Sequence, residues 1–202
     1  MADPFRPDVS LWDAWHPAEV ARKLAGVEVP WYVTAGWALD LFQGRQTRPH
    51  DDLEIAVPEH GFAAIREALG DFELFAVGEG YAHPLDERSL ARHHQTWVRE
   101  RGTGVWRLDV MREPWEGDTW VCRRDHRIRL PAKRVIAHDG EGIPYAQPEI
   151  ALLFKAKATR EKDQADFERV LPLLDRDRRR WLEQALELIH PGHRWLGELR
   201  RA

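Results

Sequence analysis

The stretch from Ala35 to Val57 constrains the fold of this chain more than any other, because segments of different local structure follow one another almost without a gap. With the residues just before it, it predicts a strand (Trp31–Thr34), a helix (Trp37–Phe42), a loop (Arg45–His50) and a second strand (Asp52–Val57). Gly36 ends the first strand, and Gly44 suits the end of the helix because glycine tolerates a left-handed backbone. This order predicts a domain in which a β-sheet packs with helices.

Two carboxylates mark the second of these strands. Alternate residues of a strand project from the same face, so Asp52 and Glu54 are predicted to point the same way while Leu53 and Ile55 enter the core. Two like charges this close repel each other unless a cation lies between them. Oxygen ligands without cysteine or histidine suit magnesium or manganese, and magnesium commonly shares its coordination shell with substrate phosphates. The pair therefore indicates a metal site, although the same pattern also occurs on solvated edge strands.

Two further features point to phosphate chemistry. Gly36 lies at a strand-to-helix turn, where backbone N–H groups can meet phosphate oxygens. Asp109 lies in another predicted strand, Val105–Met111, with apolar residues on both sides. If that strand lies beside the first acidic strand, Asp109 is a third metal ligand or a general base for an acceptor hydroxyl; otherwise it is a solvated hairpin carboxylate. A phosphate cradle followed by metal-binding acids is an arrangement for transferring a phosphoryl or nucleotidyl group.

These motifs resemble a known family. The glycine turn, Trp37-Ala-Leu-Asp40, Gly44-Arg-Gln-Thr-Arg-Pro-His50 and Asp52-Leu-Glu54 are similar to the nucleotidyltransferases of the DNA polymerase β superfamily, within it to the aminoglycoside 2''-adenylyltransferases. The resemblance implies an α/β (α+β) fold, with a small mixed β-sheet core flanked by helices and a C-terminal helical portion. It departs from the family pattern at Ala35, where a glycine is usual, and at Glu54, where aspartate is common.

The resemblance also implies roles for individual residues. It implies that magnesium or manganese is bound, and the catalysis supported, by three acids: Asp52, Glu54 and Asp109. The residues it implies for the nucleotide are Gly36, Trp37, Thr47, Arg48 and Lys155. Lys157 lies two positions from Lys155 on the same predicted helix, so the two point in different directions and Lys155 is preferred. His50 is expected to order its loop by hydrogen bonding. The alternative for Lys155 is that it is a solvated lysine that contacts no phosphate.

The remaining elements follow from periodicity and turn residues. Further helices are predicted at Ser10–Leu24, Pro58–Leu69, from Pro148 onward, Lys162–Leu174 and Arg178–Ile189. Further strands are predicted at Asp71–Val77, Leu90–Val98, a hairpin of Gln95–Arg101 with Val105–Met111, Thr119–Arg123, Arg127–Leu130, Arg134–Ala137 and Ile143–Ala146. Gly78–Asp86 is predicted to be a loop. The change of pattern at Pro148 predicts an α/β domain over residues 1–147 and a helical region over residues 148–202.

Composition limits the partners. The chain has 202 residues and a formal net charge of −4, so it lacks the basic excess of a general nucleic-acid-binding protein. One cysteine, Cys122, rules out an internal disulfide and fits a reducing compartment. No apolar run approaches transmembrane length, so no membrane partner is expected. These features predict a cytoplasmic protein of undetermined oligomeric state.

The predicted function is the magnesium-dependent transfer of AMP from ATP to a hydroxyl group of a small acceptor. The resemblance favours an aminoglycoside-like aminosugar, and four carboxylates are candidates for attracting it: Asp86, Glu87, Asp163 and Asp166. Basic residues near the last two could neutralise them, and capping is the alternative role of the Lys162–Asp166 motif. Trp115 is a candidate flat face for a sugar ring. The alternatives are transfer to protein or RNA, or a catalytically inactive nucleotide-binding protein.

Overall fold

The computed structural model describes residues 3–201, and these form a mixed α/β structure. The helices are α1 (Pro17–Lys23), α2 (Ala35–Gln43), α3 (Phe62–Ala68), α4 (Glu87–Arg92), α5 (Pro148–Lys155), α6 (Glu161–Val170), α7 (Arg176–Ile189) and α8 (Trp195–Leu199). The strands are β1 (Tyr32–Val33), β2 (Glu54–Pro58), β3 (Glu73–Gly78), β4 (Tyr81–Pro84), β5 (Gln95–Arg99), β6 (Trp106–Glu113), β7 (Trp115–Glu116), β8 (Thr119–Val121), β9 (Arg129–Pro131), β10 (Ile136–His138) and β11 (Pro144–Ala146). The predicted fold class, including the helical portion after Pro148, is confirmed.

The chain divides into two compact units, and neither is continuous in sequence. Among the described residues, the first contains residues 3–33 and 49–115, and the second contains residues 34–48 and 116–201. The division predicted at residue 148 separates an α/β region from a helical one, and it stays a prediction.

The first unit is built on strands in the order β1-β2-β6-β5-β3-β4. The pair β2–β6 is parallel and the other four pairs are antiparallel, so this sheet is mixed. After Glu54, every residue of β2 is buried, as expected for a central strand covered on both faces. An aromatic cluster forms much of the core, in which Trp106 contacts Phe75, Trp97 and Trp12 at ring-centroid distances of 5.3 to 6.5 Å.

The second unit is mainly helical. Helix α2 packs against α5, and α5 packs against α6 and α7. Pro148 begins α5 at a position where its missing N–H costs no helical hydrogen bond. Phe167 and Trp195 stack with ring centroids 4.2 Å apart. Two antiparallel pairs, β8–β9 and β10–β11, complete the unit.

Local chemistry explains where the predicted helices were wrong. The predicted helix Ser10–Leu24 is restricted to α1, because Pro17 begins it and His16 caps it in a box with Glu19. The residues before it run beside β6 instead, with Asp13 N donating to Trp106 O at 3.1 Å. Helix α3 begins four residues later than predicted because Pro58 still belongs to β2.

Two strand assignments also needed correction. The predicted loop Gly78–Asp86 contains β4, joined to β3 by a two-residue turn in which Glu79 and Gly80 both have positive φ. Such a turn matches the twist of a hairpin. The first part of the predicted strand Leu90–Val98 is helix α4, because Asp86 caps it with Ser89 as its reciprocal partner. The predicted β5–β6 hairpin is confirmed.

Candidate active site

Two of the predicted catalytic acids lie directly opposite each other on neighbouring strands. In the parallel pair β2–β6, Glu54 is the register partner of Asp109. The backbone N–H of Asp109 donates to Leu53 O at 2.9 Å, which extends the pairing one residue toward Asp52. Asp52 itself is exposed and lies just before β2, so the predicted strand starts two residues too early. The structure thus brings together Glu54 and Asp109, which are far apart in sequence.

Asp109 is a buried acid with an unusual environment. Its exposed fraction is 2%, and Gln95 Nε2 donates a hydrogen bond to its Oδ2. Its other oxygen, Oδ1, is buried without a hydrogen-bond partner. Burial, and then the charge of Glu54, raise the pKa of Asp109 well above its ordinary value, against the lowering effect of the Gln95 hydrogen bond.

The donor atoms around Asp109 decide whether a divalent cation fits there. Among residues 3–201, no group of three or more His, Cys, Asp or Glu side chains is arranged to hold a metal ion. Nevertheless, the unpartnered Oδ1 of Asp109 and the repulsion from Glu54 are both relieved by a cation bound to these oxygens. The donor set therefore fits a hard cation, and the three-ligand set with Asp52 stays a prediction.

The predicted phosphate turn has a strained start. Ala35 is the first residue of α2 and has a φ of 54°, a left-handed conformation that glycine adopts much more readily. Thr34, at the N-cap position, makes no side-chain capping bond. Gly36 is buried and Trp37 is half-buried. The glycine expected by the family pattern would relieve strain at position 35.

Two carboxylates hold the loop after α2. Thr47 Oγ1 donates to Asp40 Oδ1 at 2.5 Å, and Asp40 is itself buried in the helix. Arg48 donates from Nε to Asp166 Oδ1 at 3.2 Å and from Nη2 to Asp166 Oδ2 at 3.1 Å. Gln46 Nε2 donates to Arg48 O at 3.0 Å. Thr47 and Arg48, both predicted to bind nucleotide, are thus anchored within the second unit.

Lys155 lies in a buried ion cluster. Its Nζ is 2.8 Å from Asp163 Oδ1 and 3.0 Å from Asp166 Oδ2. Arg160 pairs with Asp163, and Arg169 pairs with Asp166. The hypothesis that these two aspartates offer unpaired charge to an acceptor is wrong, because both are buried and ion-paired. The alternative of helix capping is confirmed for Asp163, whose Oδ2 accepts a hydrogen bond from the backbone N–H of Arg160, the N-cap residue of α6, at 3.1 Å.

Sequence reasoning missed three residues that shape these sites. Asp40 was noted only as part of a motif, although it holds Thr47. Gln95 and Asp166 were not connected with Asp109 and Arg48, which they contact. The only signal available was charge: Asp166 is an acid in a predicted helix interior, where a partner is needed if it is buried.

The comparisons with known proteins concern mainly the N-terminal part of the chain, which holds the glycine turn and the acids Asp52 and Glu54. A family profile described as Aminoglycoside-2''-adenylyltransferase matches residues 18–88. The match includes the glycine turn, Asp52 and Glu54, and it ends before Asp109 and Lys155. The predicted class, a nucleotidyltransferase, is confirmed. No curated protein matches the sequence.

Solved structures of other nucleotidyltransferases share the fold. The lincomycin-bound lincosamide antibiotic adenylyltransferase LnuA is 15% identical, with a TM-score of 0.55 over 78% of this chain and 95% of that one. The antibiotic-resistance factor ANT(2'')-Ia is 14% identical, with a TM-score of 0.54 over 89% and 91%. An antigenic nucleotidyltransferase-like protein from Paracoccidioides brasiliensis is 14% identical, with a TM-score of 0.51 over 91% and 89%. At these identities the likeness establishes the fold.

Proposed function

We propose that this nucleotidyltransferase transfers AMP from ATP to a hydroxyl group of a small antibiotic-like acceptor, with magnesium or manganese as cofactor. The observation that carries the proposal is the pairing of Glu54 with Asp109 on adjacent parallel strands. A nearly buried acid beside a second acid destabilises a fold, and such groups are concentrated at functional sites. The family match at residues 18–88, which includes Glu54 but not Asp109, supports this proposal.

The proposed metal ligands are Asp52, Glu54 and Asp109. Carboxylate oxygens suit magnesium, and magnesium when bound supplies charge stabilisation for a triphosphate. Asp52 is exposed beside the pairing, so its carboxylate is accessible to solvent-borne ions. Glu54 keeps the necessary charge, with a side chain one methylene longer than the family's usual aspartate.

Asp109 has a second proposed role as a general base. A base works best when its pKa is close to the working pH, and burial beside Glu54 moves the pKa of Asp109 in that direction. In this role Asp109 takes the proton from the acceptor hydroxyl as that hydroxyl attacks the α-phosphorus. Gln95 holds the carboxylate through Oδ2. Base and metal ligand remain alternative roles for the same side chain.

The proposed nucleotide contacts are Gly36, Trp37, Thr47, Arg48 and Lys155. The support is that α2 begins without a side-chain cap from Thr34, and that a helix start attracts phosphate. A lysine ammonium has three N–H donors, and the two carboxylate contacts of Lys155 use two of them. A phosphate contact by Lys155 would therefore add to its ion pairs.

The proposed acceptor is an aminoglycoside-like aminosugar. The family profile is described by that substrate class, and the similar structures include a lincosamide antibiotic adenylyltransferase and an antibiotic-resistance factor. Asp86 and Glu87 remain candidates for attracting a polycation, and Trp115 remains a candidate sugar platform. Transfer inside the cytoplasm, where ATP and magnesium are available, fits this reaction. Within residues 3–201, none of the helices combines the length and apolarity needed to cross a membrane.

Incubation with ATP, magnesium and a panel of aminoglycosides and lincosamides tests the proposal, with mass spectrometry detecting an added AMP. The expected result is a magnesium-dependent adduct on at least one aminoglycoside, with pyrophosphate released. Asp52→Asn is the matched variant, since an exposed carboxylate contributes little to packing. It should lower the rate by roughly 100-fold or more.

The outcomes separate the parts of the proposal. Undiminished transfer by Asp52→Asn would overturn the metal assignment. Pyrophosphate release with protein, RNA or another small molecule, but no antibiotic adduct, would keep the enzyme class and discard the acceptor. Magnesium-dependent ATP binding without any turnover would show that Ala35 and Glu54 belong to an inactive nucleotide-binding protein.

A further inference from the structure

The contact between Arg48 and Asp166 joins two segments of the second unit that are 118 positions apart in sequence. Two nitrogen atoms of the guanidinium face two oxygens of the carboxylate, at 3.2 and 3.1 Å. This forked pairing fixes the direction of the guanidinium as well as its distance. The pair is well shielded, since the side chains of Arg48 and Asp166 are 18% and 4% exposed.

Asp166 is in turn held by two other cations. Lys155 Nζ lies 3.0 Å from its Oδ2, and Arg169 Nη2 lies 2.6 Å from its Oδ1. Burial acts to raise the pKa of Asp166, but the bonds from Arg48 and Lys155 outweigh it and lower the pKa below its ordinary value. Asp166 is therefore charged at neutral pH and fixed from three sides. Its carboxylate is a rigid support for Arg48.

We propose that Asp166 is a positioning residue for nucleotide binding, which orients the Arg48 guanidinium and thereby fixes the loop of residues 45–48. The inference rests on the proposed function, in which Arg48 contacts the triphosphate. The Thr47–Asp40 bond supports it, because it anchors the adjacent residue of the same loop. A loop held in place before the nucleotide arrives loses less conformational freedom on binding.

The ion cluster supplies a matched control. Asp163 lies on the same helix as Asp166, is equally buried and also pairs with Lys155. It pairs with Arg160, whereas Asp166 pairs with Arg48. An effect transmitted through Lys155 should therefore appear in both Asp163→Asn and Asp166→Asn. The difference between these variants reports the contact with Arg48.

Calorimetric titration with magnesium-ATP measures this difference. We expect Asp166→Asn to weaken binding by roughly three- to tenfold more than Asp163→Asn, as the cost of ordering a freed arginine and its loop suggests. In the background of Arg48→Gln, Asp166→Asn should weaken binding no more than Asp163→Asn does, because only the effect transmitted through Lys155 remains. Thermal unfolding checks that each variant is folded, and Asp166→Glu provides a charge-conserving variant that should recover part of the affinity.

Several results would overturn the inference. Tighter binding by Asp166→Asn would mean that Asp166 withholds Arg48 from the nucleotide. Additive effects of Asp166→Asn and Arg48→Gln would mean that Asp166 does not act through Arg48. If Asp166→Asn fails to fold, equal affinities of Asp166→Glu and the wild type would likewise reject a geometric role. Absence of magnesium-ATP binding by the wild-type protein would refute the proposed function, and this inference with it.

Discussion

Asp109 lies in an environment that disfavours its charged form and therefore lowers the stability of the folded protein at neutral pH. Its folded-state pKa is raised by burial and then by Glu54, so its ionised form is disfavoured by folding. The contribution of Asp109 to stability is therefore greatest below its unfolded pKa of about 3.9, and it is lost as the pH rises through the raised folded pKa. At neutral pH, an uncharged replacement removes this cost.

We therefore expect Asp109→Asn to be more stable than the wild type in the absence of metal, by about 1 kcal/mol or roughly 2–4 °C. Its amide can still accept the hydrogen bond from Gln95 and can donate toward Glu54. Thermal unfolding at pH 7.5 with a chelator measures this stability. Turnover should be lost in the same variant.

Added magnesium-ATP then separates the two proposed roles of Asp109. A ligand at 100 times its dissociation constant stabilises a folded protein by about 2.7 kcal/mol. Retention of that thermal shift in Asp109→Asn would indicate a base, and its loss would indicate a metal ligand. Normal turnover by the variant would reject both roles, and a lower metal-free stability would contradict the assigned environment.

Helix α4 ends at a buried histidine, His93. His93 is the C-cap residue of α4 and stacks on His83 with ring centroids 4.6 Å apart. His93 also packs closely against Gly78, where a Cβ would lie only 2.1 Å from His93 Nδ1. Burial, then the charges of His83 and Arg92, lower the pKa of His93, while Glu79 opposes them and Arg112 adds to them.

This environment predicts acid sensitivity of α4. Because the folded pKa of His93 lies below its unfolded value of about 6.5, the unfolded chain takes up the proton first. Stability should fall as the pH decreases from about 6.5 to the lowered folded value, and that contribution should then level off. Denaturant unfolding between pH 8 and 5 measures the slope.

The control for this prediction is a pair of variants. His93→Gln should show a smaller loss of stability over the same pH range than the wild type does. His126→Gln, at an exposed position, should leave the slope unchanged. Equal slopes for the wild type and His93→Gln would contradict the prediction.

At the scale of the whole molecule, the two units are interleaved along the chain. Residues 34–48, which include α2, form a compact unit with residues 116–202, although they lie inside the region predicted as an α/β domain. Helix α2 contacts residues after position 148. For example, the guanidinium of Arg178, on α7, lies 5.5 Å from the ring centroid of Phe42. A cut at the predicted boundary therefore removes the partners of α2.

We expect a fragment of residues 1–147 to lack a cooperative thermal transition, because α2 loses its packing against α5 and Arg48 loses Asp166. Circular dichroism during heating, with the full chain as reference, measures this. Co-expression of residues 148–202 should restore the transition. A cooperative transition in the fragment alone would support the division at residue 148 as a true folding boundary.

Much of the fold could be predicted because its signals are local. The acid–apolar pattern at residues 52–57, the glycine at the end of α2 and the proline at the start of α5 each act on neighbouring backbone, and the structure confirms a strand and two helices at these places, although β2 is buried on both faces and does not alternate. The failures were also local: Glu79 is not a usual turn residue, His16 is not a usual N-cap residue, and Ser89 takes the position that Glu or Gln usually has in a capping box.

The sequence by itself predicted the pair Asp52 and Glu54 from its resemblance to the nucleotidyltransferase motif, and the alternation of acids and apolar residues predicted a strand there, which begins at Glu54. Only the tertiary structure decided that Asp109 lies beside Glu54, that Gln95 holds it, and that Asp166 holds Arg48. These contacts depend on strand order, register and helix packing across long stretches of chain. Whether a carboxylate is exposed or buried, and which cation it meets, is set by that packing and not by its neighbours in sequence.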